Sequence, residues 1–391
     1  MVPIDLSPLT EMVEIAVQVR PTEPFALDPL EARQEEIEAS EQLLALVPDY
    51  TAENLSGSIA CFIEALCGSP PETLEELKTD KVYASRSQKV VVKVYAPKGE
   101  GRGLYQFVRE ISGQKALEDL ELTSGSVVKI LSAGKCTLYG QDHFLLALSL
   151  APGKEVKQFI NPIFTDSDKE SAIAQCQKVL HRLGEVLAEM HLRKAVTFNT
   201  SPELAAYARR EIALSIHKSL REYKKNGGIL VEKIRRVFEE KLAQTQPDRL
   251  TVAQGHGDSH LNNFLYDPAT DQITIIDTSR AHVWVDPQGA PLHPIHVRDV
   301  ARTIDDIAKW VLHIAYDPVI IEGLTSSFKA GYFEKAPDLI SPAELDLKVS
   351  YLFLERLKSA ILWENELSKA SQQVKKRIYD YYLSSLLNSQ P

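Results

Sequence analysis

The chain has 391 residues, a net charge of -10, 44% hydrophobic and 25% charged residues, which is the make-up of a globular protein with room for two or three domains. An acidic balance argues against a general nucleic-acid binder, whose surface carries a basic stripe, and no apolar run approaches the roughly 18–20 residues of a membrane span. The first twenty residues contain Asp5, Glu11 and Glu14 where a secretory leader would be basic and then apolar, and Cys61, Cys67, Cys136 and Cys176 form no C-x-x-C pair, so a protein of the reducing cytoplasm is expected.

In chain order, Pro3, Pro8, Pro21 and Pro24 suggest an irregular arm or a short helix between breaks. Asp28-Pro29 then supplies an N-cap and first-turn proline for a helix to about Val47, and a second apolar helix is expected over Leu55 to Leu66. Residues 1–75 thus form an N-terminal helical extension with a packing role. From about Lys78 the pattern turns to strands: Lys81 to Ser85 and Lys89 to Tyr95 flank the polar turn Arg86-Ser87-Gln88. Lys93 interrupts the β-branched run Val90-Val91-Val92, so it either snorkels to solvent or is held by an anion, because an unpaired buried ammonium is costly. Gly99-Glu100-Gly101-Arg102-Gly103 lacks the spacing and lysine of a phosphate loop and reads as a linker. A helix follows over Leu104 to Leu120, with Leu104, Phe107 and Ile111 on one side and Glu110 near its middle. Val127 to Leu131 and Phe144 to Leu148 read as further strands, and Ala151-Pro152-Gly153 breaks the pattern.

Residues 151–391 read as mostly helical. Ile173, Cys176, Leu180, Leu183, Leu187 and Met190 recur at helical steps from about Lys169 to Leu192. Ser201-Pro202 opens a helix to Lys225 that Asn226-Gly227-Gly228 closes, and Ile229 to Ala243 forms another. Helices are also expected over Val297 to Ala315, from Ser341-Pro342 to about Lys369, and over Gln372 to Leu387. There is no internal repeat.

The segment between these helices carries the chemistry. His256-Gly257-Asp258-Ser259-His260-Leu261-Asn262-Asn263 leads into two apolar runs, Asn263 to Asp267 and Gln272 to Asp277, which flank Pro268-Ala269-Thr270 and read as a hairpin. Pairing symmetric about Thr270 would set Asn263 opposite Asp277 at the roughly 4.5–5.5 Å of cross-strand Cβ atoms. An amide oxygen and a carboxylate so placed suit Mg²⁺, which favours oxygen ligands and keeps other positions for water and phosphate. Asp258 adds a carboxylate nearby. The rival reading, a zinc site on His256 and His260 with His282, His293 and His296 near in sequence, lacks the glutamate of an H-E-x-x-H helix and has glycines around His256.

The pattern H-G-D-x-H-x-x-N-x-L at His256 to Leu265 followed by Ile275-Ile276-Asp277, with Val91 to Tyr95, Arg109-Glu110, Phe144 to Gly153 and Arg298-Asp299-Val300-Ala301 in order, resembles the aminoglycoside phosphotransferase and choline kinase family over about residues 76–370. The resemblance implies an α+β, bilobal protein-kinase-like fold: an antiparallel sheet lobe at 76–150 that binds nucleotide and a helical lobe at 151–391. It further implies an ATP- and Mg²⁺-dependent kinase acting on a small-molecule hydroxyl, a non-catalytic nucleotide-binding protein being the alternative. On this resemblance Asp258 would be the catalytic carboxylate, Asn263 and Asp277 the Mg²⁺ ligands, and Lys93 the phosphate contact, paired with Glu110 or, two turns on, Glu118. Ala147, Leu148, Ser149 and Leu150 would meet the adenine, and His256 and Asp299 would support the catalytic loop. Two departures stand out: neither Lys78 to Lys81 nor Arg86 to Gln88 contains the family's nucleotide-loop glycines, and Thr278-Ser279-Arg280 follows Asp277 where an aromatic residue is common. Glu355, Trp363 and Glu364 lie where an amine-bearing acceptor would be bound.

Overall fold

A computed structural model describes residues 47–78, 81–96, 102–118, 120–199, 202–245, 249–281, 295–362 and 369–388. The expected helix from Asp28, the glycines at 99 and 101, His282, His293, Trp363 and Glu364 lie outside these residues. The chain divides into two compact units. The first takes the described residues up to Glu121, then Gly125–Gly153 and the segment beginning at Thr274; the second takes Leu122–Ser124, Lys154–Ile273 and the described residues after His293.

Alternation of side chains builds the first unit. Strands β1 (Glu75–Lys78), β2 (Val82–Ser85), β3 (Val90–Tyr95), β5 (Ile130–Leu138) and β6 (Gln141–Ser149) form one antiparallel sheet in the order β1-β2-β3-β6-β5. Val90, Val92 and Val94 of β3, with Leu145 and Ala147 of β6, pack against Ile59, Phe62 and Ile63 of helix α1 (Leu55–Cys67). Asn54 caps α1 by accepting the Gly57 amide at 2.8 Å. The opposite face of β6 sends Phe144, Leu146 and Leu148 to Phe107 and Ile111 of helix α2 (Arg102–Glu118). Because side chains alternate along a strand, Lys93 shares the α2 side with Tyr95, whose ring meets Phe107 at 5.7 Å between centroids. Gly113 lets α2 come close to the chain after Asp277: a Cβ there would collide with the Thr278 carbonyl oxygen. The short strand β4 (Gly125–Val127) completes this unit beside Thr274 and Ile275, with Ser126 Oγ and Thr274 Oγ1 at 2.9 Å.

The second unit is mainly helical: α3 (Lys169–Arg193), α4 (Pro202–Lys225), α5 (Val231–Gln244), α6 (Ile295–Ile314), α7 (Pro318–Lys335), α8 (Pro342–Leu362) and α9 (Lys369–Asn388). Strand β7 (Lys154–Glu155) pairs with β10 (Phe264–Asp267), and β8 (Val196–Asn199) pairs with β9 (Arg249–Val252). Helix α7 has no counterpart among the sequence-based expectations. Its start is an N-cap, Asp317 accepting the Ile320 amide at 3.1 Å, with Pro318 next. It crosses α3 at two glycines, since a Cβ on Gly184 would strike the Phe328 carbonyl and one on Gly331 the His181 carbonyl. Helix α6 buries Val297, Val300, Ala301, Ile304, Ile307, Ala308, Val311 and Leu312 at three- and four-residue steps. Arg356 of α8 grips Asp305 of α6 through Nε and Nη2 at 2.7–3.0 Å, and Tyr382 of α9 donates to the same carboxylate at 3.1 Å. Among the described residues no helix is long and apolar enough to cross a membrane.

Candidate active site

In the first unit the interruption of the valine run by Lys93 has its explanation. The Lys93 Nζ lies 2.7 Å from Glu110 Oε1 and 3.4 Å from Asp277 Oδ1. Its side chain is 18% exposed, so the anion-held reading of Lys93 is the one realised. Burial pulls the ammonium's pKa down, but attraction to Glu110 and Asp277 outweighs it and the value is raised. Burial, followed by repulsion from Asp277, pushes the Glu110 carboxyl up against the pull of Lys93. Glu110 Oε1 also accepts the Thr278 amide at 3.2 Å, and Thr278 Oγ1 donates to Gln114 at 2.9 Å. Glu118, the other candidate partner for Lys93, is occupied elsewhere: it accepts the Ile130 amide at 2.9 Å and Gln114 Nε2 at 3.4 Å.

Asp277 has φ +58°, a left-handed conformation that a non-glycine residue holds at a cost and that recurs at functional sites. It lies two residues past β11 (Gln272–Ile275), and Asn263 lies in the 3-10 turn Leu261–Asn263, before β10. Neither is a strand residue, so strand pairing does not set their spacing as the hairpin reading supposed. The turn itself forms, with Asp267 accepting the Ala269 amide at 3.1 Å and Tyr266 donating to Asp271 at 2.6 Å.

The stretch Ala147–Leu150 closes β6. Its donors are partly committed: the Ser149 amide bonds the Lys129 carbonyl at 2.9 Å and the Leu150 amide the Lys89 carbonyl at 2.8 Å. The amides of Ser149 and Leu150 are therefore not spare donors for an adenine.

In the second unit the chain around Asp258 is held at almost every residue. Asp299, fully buried in α6, accepts the amides of His256 at 2.6 Å and Gly257 at 2.9 Å. His191 of α3 stands behind it, Nε2 3.3 Å from Asp299 Oδ2 and Nδ1 2.8 Å from the Tyr332 hydroxyl of α7. His256 is itself buried and its Nδ1 accepts the Asp258 amide at 3.2 Å. The Asp258 carbonyl accepts the His260 amide at 2.8 Å and Asn263 Nδ2 at 2.9 Å. Asp258 is thereby fixed on both peptide planes, while its carboxylate, 24% exposed, lies 4.0 Å from His260 Nε2. His256 and His260 sit in a loop and not on a helix, which removes the geometry of the rival zinc reading.

Glu355, on α8, does not wait for an amine. It accepts from Ser219 Oγ at 2.5 Å and pairs with Lys358 at 2.9 Å. The supporting residues that sequence reasoning missed are Ser259, Thr303, Asp306, His191 and Tyr332. For Thr303 and Asp306 the sequence signal is their spacing, which puts them on one stripe of α6 with Asp299.

A strand lysine with its helix glutamate, and a braced loop bearing Asp258 and Asn263, are the working parts of a kinase-type phosphotransferase. The phosphotransferase enzyme family, APH, matches residues 79–283, and the chain belongs to that family. Among solved structures it is similar to a glucosamine kinase in complex with glucosamine, ADP and inorganic phosphate, with a TM-score of 0.56 at 15% identity over 86% of this chain and 84% of that one. A crystal form of glucosamine kinase gives 0.54 at 17% identity over 85% and 84%. At this identity the likeness is one of fold: an antiparallel sheet region followed by a mainly helical one, as expected from the motif order. No curated protein matches by sequence.

Proposed function

We propose that the chain transfers the γ-phosphoryl group of ATP to a hydroxyl of a small molecule. The observation that carries this is the Lys93 ammonium held between Glu110 and Asp277, a cation kept in a buried place where a phosphate can share it. Lys93 contacts the nucleotide phosphates and Glu110 fixes its reach. Asp258 orients the acceptor hydroxyl and takes its proton as the new bond forms.

Taken one by one, Asn263 and Asp277 each offer an oxygen of the kind Mg²⁺ takes. Asn263 spends its Nδ2 on the Asp258 carbonyl, which leaves Oδ1 as the donor atom of the amide, and the Asp277 carboxylate is 49% exposed. When bound, the ion would neutralise charge on the phosphate oxygens. The loop's hydrogen bonds hold the backbone of Asp258 at its amide and its carbonyl.

The acceptor class rests on the family. Glu355, expected near an amine-bearing acceptor, is paired with Lys358 and remains 36% exposed. The similar glucosamine kinase was captured with glucosamine, so hydroxyls of sugars and amino sugars are the first acceptors to try. Thermal stability with and without millimolar ATP and Mg²⁺, followed by ADP release over a panel of sugar and amino-alcohol acceptors, tests the proposal. Stabilisation by nucleotide and acceptor-dependent ADP release are expected; neither appearing would overturn it. Nothing favours the non-catalytic alternative.

A further inference from the structure

Helix α6 meets the catalytic loop at more points than Asp299. Asp299, Thr303 and Asp306 occupy positions i, i+4 and i+7, one stripe of a helix, and their exposures are 0%, 0% and 1%. Thr303 Oγ1 donates to the Ser259 carbonyl at 2.9 Å and to the Asp299 carbonyl at 3.0 Å, and Ser259 Oγ returns a bond to the Asp299 carbonyl at 2.6 Å. Asp306 Oδ2 accepts the Leu261 amide at 2.8 Å. The stripe therefore follows the loop from His256 to Leu261, with Asp258 between its first two holds.

Asp306 is aimed by its own helix. Trp310, one turn on, donates Nε1 to the same Oδ2 at 3.1 Å, and Lys309 Nζ lies 3.4 Å from Oδ1. The Trp310 ring is in turn flanked by the ammonium groups of Lys157 at 5.0 Å and Lys309 at 5.1 Å from its centroid. A buried carboxylate with three such partners has one orientation open to it, and that orientation faces Leu261.

We propose that Asp306 is a positioning residue of the phosphoryl transfer. By holding the Leu261 amide it fixes the 3-10 turn Leu261–Asn263, and with it the Asn263 amide that bonds the Asp258 carbonyl. Asp306 touches neither nucleotide nor acceptor; it acts through the loop. This role rests on the assignment of Asp258 and Asn263 to the reaction.

Three variants test it in the full-length chain. Asp306→Ala strands the buried Leu261 N–H, Asp306→Asn keeps an oxygen that can accept from both Leu261 and Trp310, and Asp305→Asn disturbs a neighbouring buried carboxylate that grips Arg356 and not the loop. Hydrogen exchange over Gly255–Phe264 in the nucleotide-free protein should accelerate about tenfold or more in Asp306→Ala, stay near wild type in Asp305→Asn, and recover in Asp306→Asn. Turnover should follow the same order, with kcat of Asp306→Ala down about tenfold to a hundredfold and KM for ATP within about twofold. Loop exchange unchanged in Asp306→Ala, or accelerated exchange with kcat within about twofold of wild type, would overturn the role while leaving the phosphotransferase reading intact. A wild-type chain that binds no nucleotide and turns over no acceptor would overturn both.

Discussion

Lys93 and Glu110 meet through opposite charges projected from a strand and a helix of the first unit, whereas Asp258 in the second unit is set in place by hydrogen bonds to the backbone around it. The two arrangements fail differently. Deleting one member of a buried ion pair leaves the other charge uncompensated, at about 3–5 kcal/mol. Deleting a group that holds a loop amide leaves a stranded N–H worth about 1–3 kcal/mol, but it also lets a reacting group drift, and a shift near 1 Å can cost about a hundredfold in rate. The first unit is thus expected to show its mutations in nucleotide affinity and stability, the second in turnover.

Comparing Lys93→Met with Asp299→Ala breaks or sharpens that contrast with the largest effects. Lys93→Met should raise the Kd for ATP about a hundredfold, the worth of a charged hydrogen bond near 3 kcal/mol, and lower the melting temperature because Glu110 loses its cation. Asp299→Ala should keep the Kd for ATP within about threefold while kcat falls about a hundredfold. Calorimetric ATP binding and steady-state kinetics on both variants decide the matter; a large affinity loss in Asp299→Ala would erase the division of labour.

The same backbone-holding device can be read away from the loop, in stability and not in rate. Glu189 of α3 is buried, which by itself raises its pKa, yet its carboxylate accepts the amides and hydroxyls of Thr123 and Ser124 and is held down to about 2. A folded-state value below the unfolded one stabilises the protein fully above pH ~4.5 and loses that contribution as pH falls towards 2. The difference of about 2.5 units corresponds to ~3 kcal/mol. The melting temperatures of wild type and Glu189→Gln should therefore differ at pH 6 and draw together as the pH is lowered from about 4.5 towards 2; a gap independent of pH would contradict the hydrogen-bonded carboxylate.

Lys93 stood out in the sequence because a charge in a valine run must either snorkel to solvent or find an anion; the residues alone left both open, and the family resemblance pointed to a partner on the helix that follows. Spacing alone also drew attention to Asp258, Asn263 and Asp277. Choosing Glu110 over Glu118 was beyond periodicity, since the decision lies with Ile130, whose amide occupies Glu118. Thr303 and Asp306 escaped notice because they bind loop backbone some forty residues earlier, and a backbone carbonyl or amide leaves no signature of residue type. Helix α7 was passed over for a related reason. Gly331, its close contact with α3, and Tyr332, its hydrogen bond to His191, are understood only with α3 beside them. Glu355 carries partners that its sequence neighbours did not announce, because Ser219 reaches it from another helix.

In the proposed reaction Asp258 takes the acceptor's proton while other groups hold the nucleotide. The most direct measurement of this is ATP affinity and single-turnover phosphoryl transfer in Asp258→Ala, once an acceptor is in hand. The Kd for ATP should stay within about twofold of wild type and transfer should fall by about 10²–10⁴, the range for a lost general base. Transfer retained at more than about a tenth of the wild-type rate would contradict the assignment.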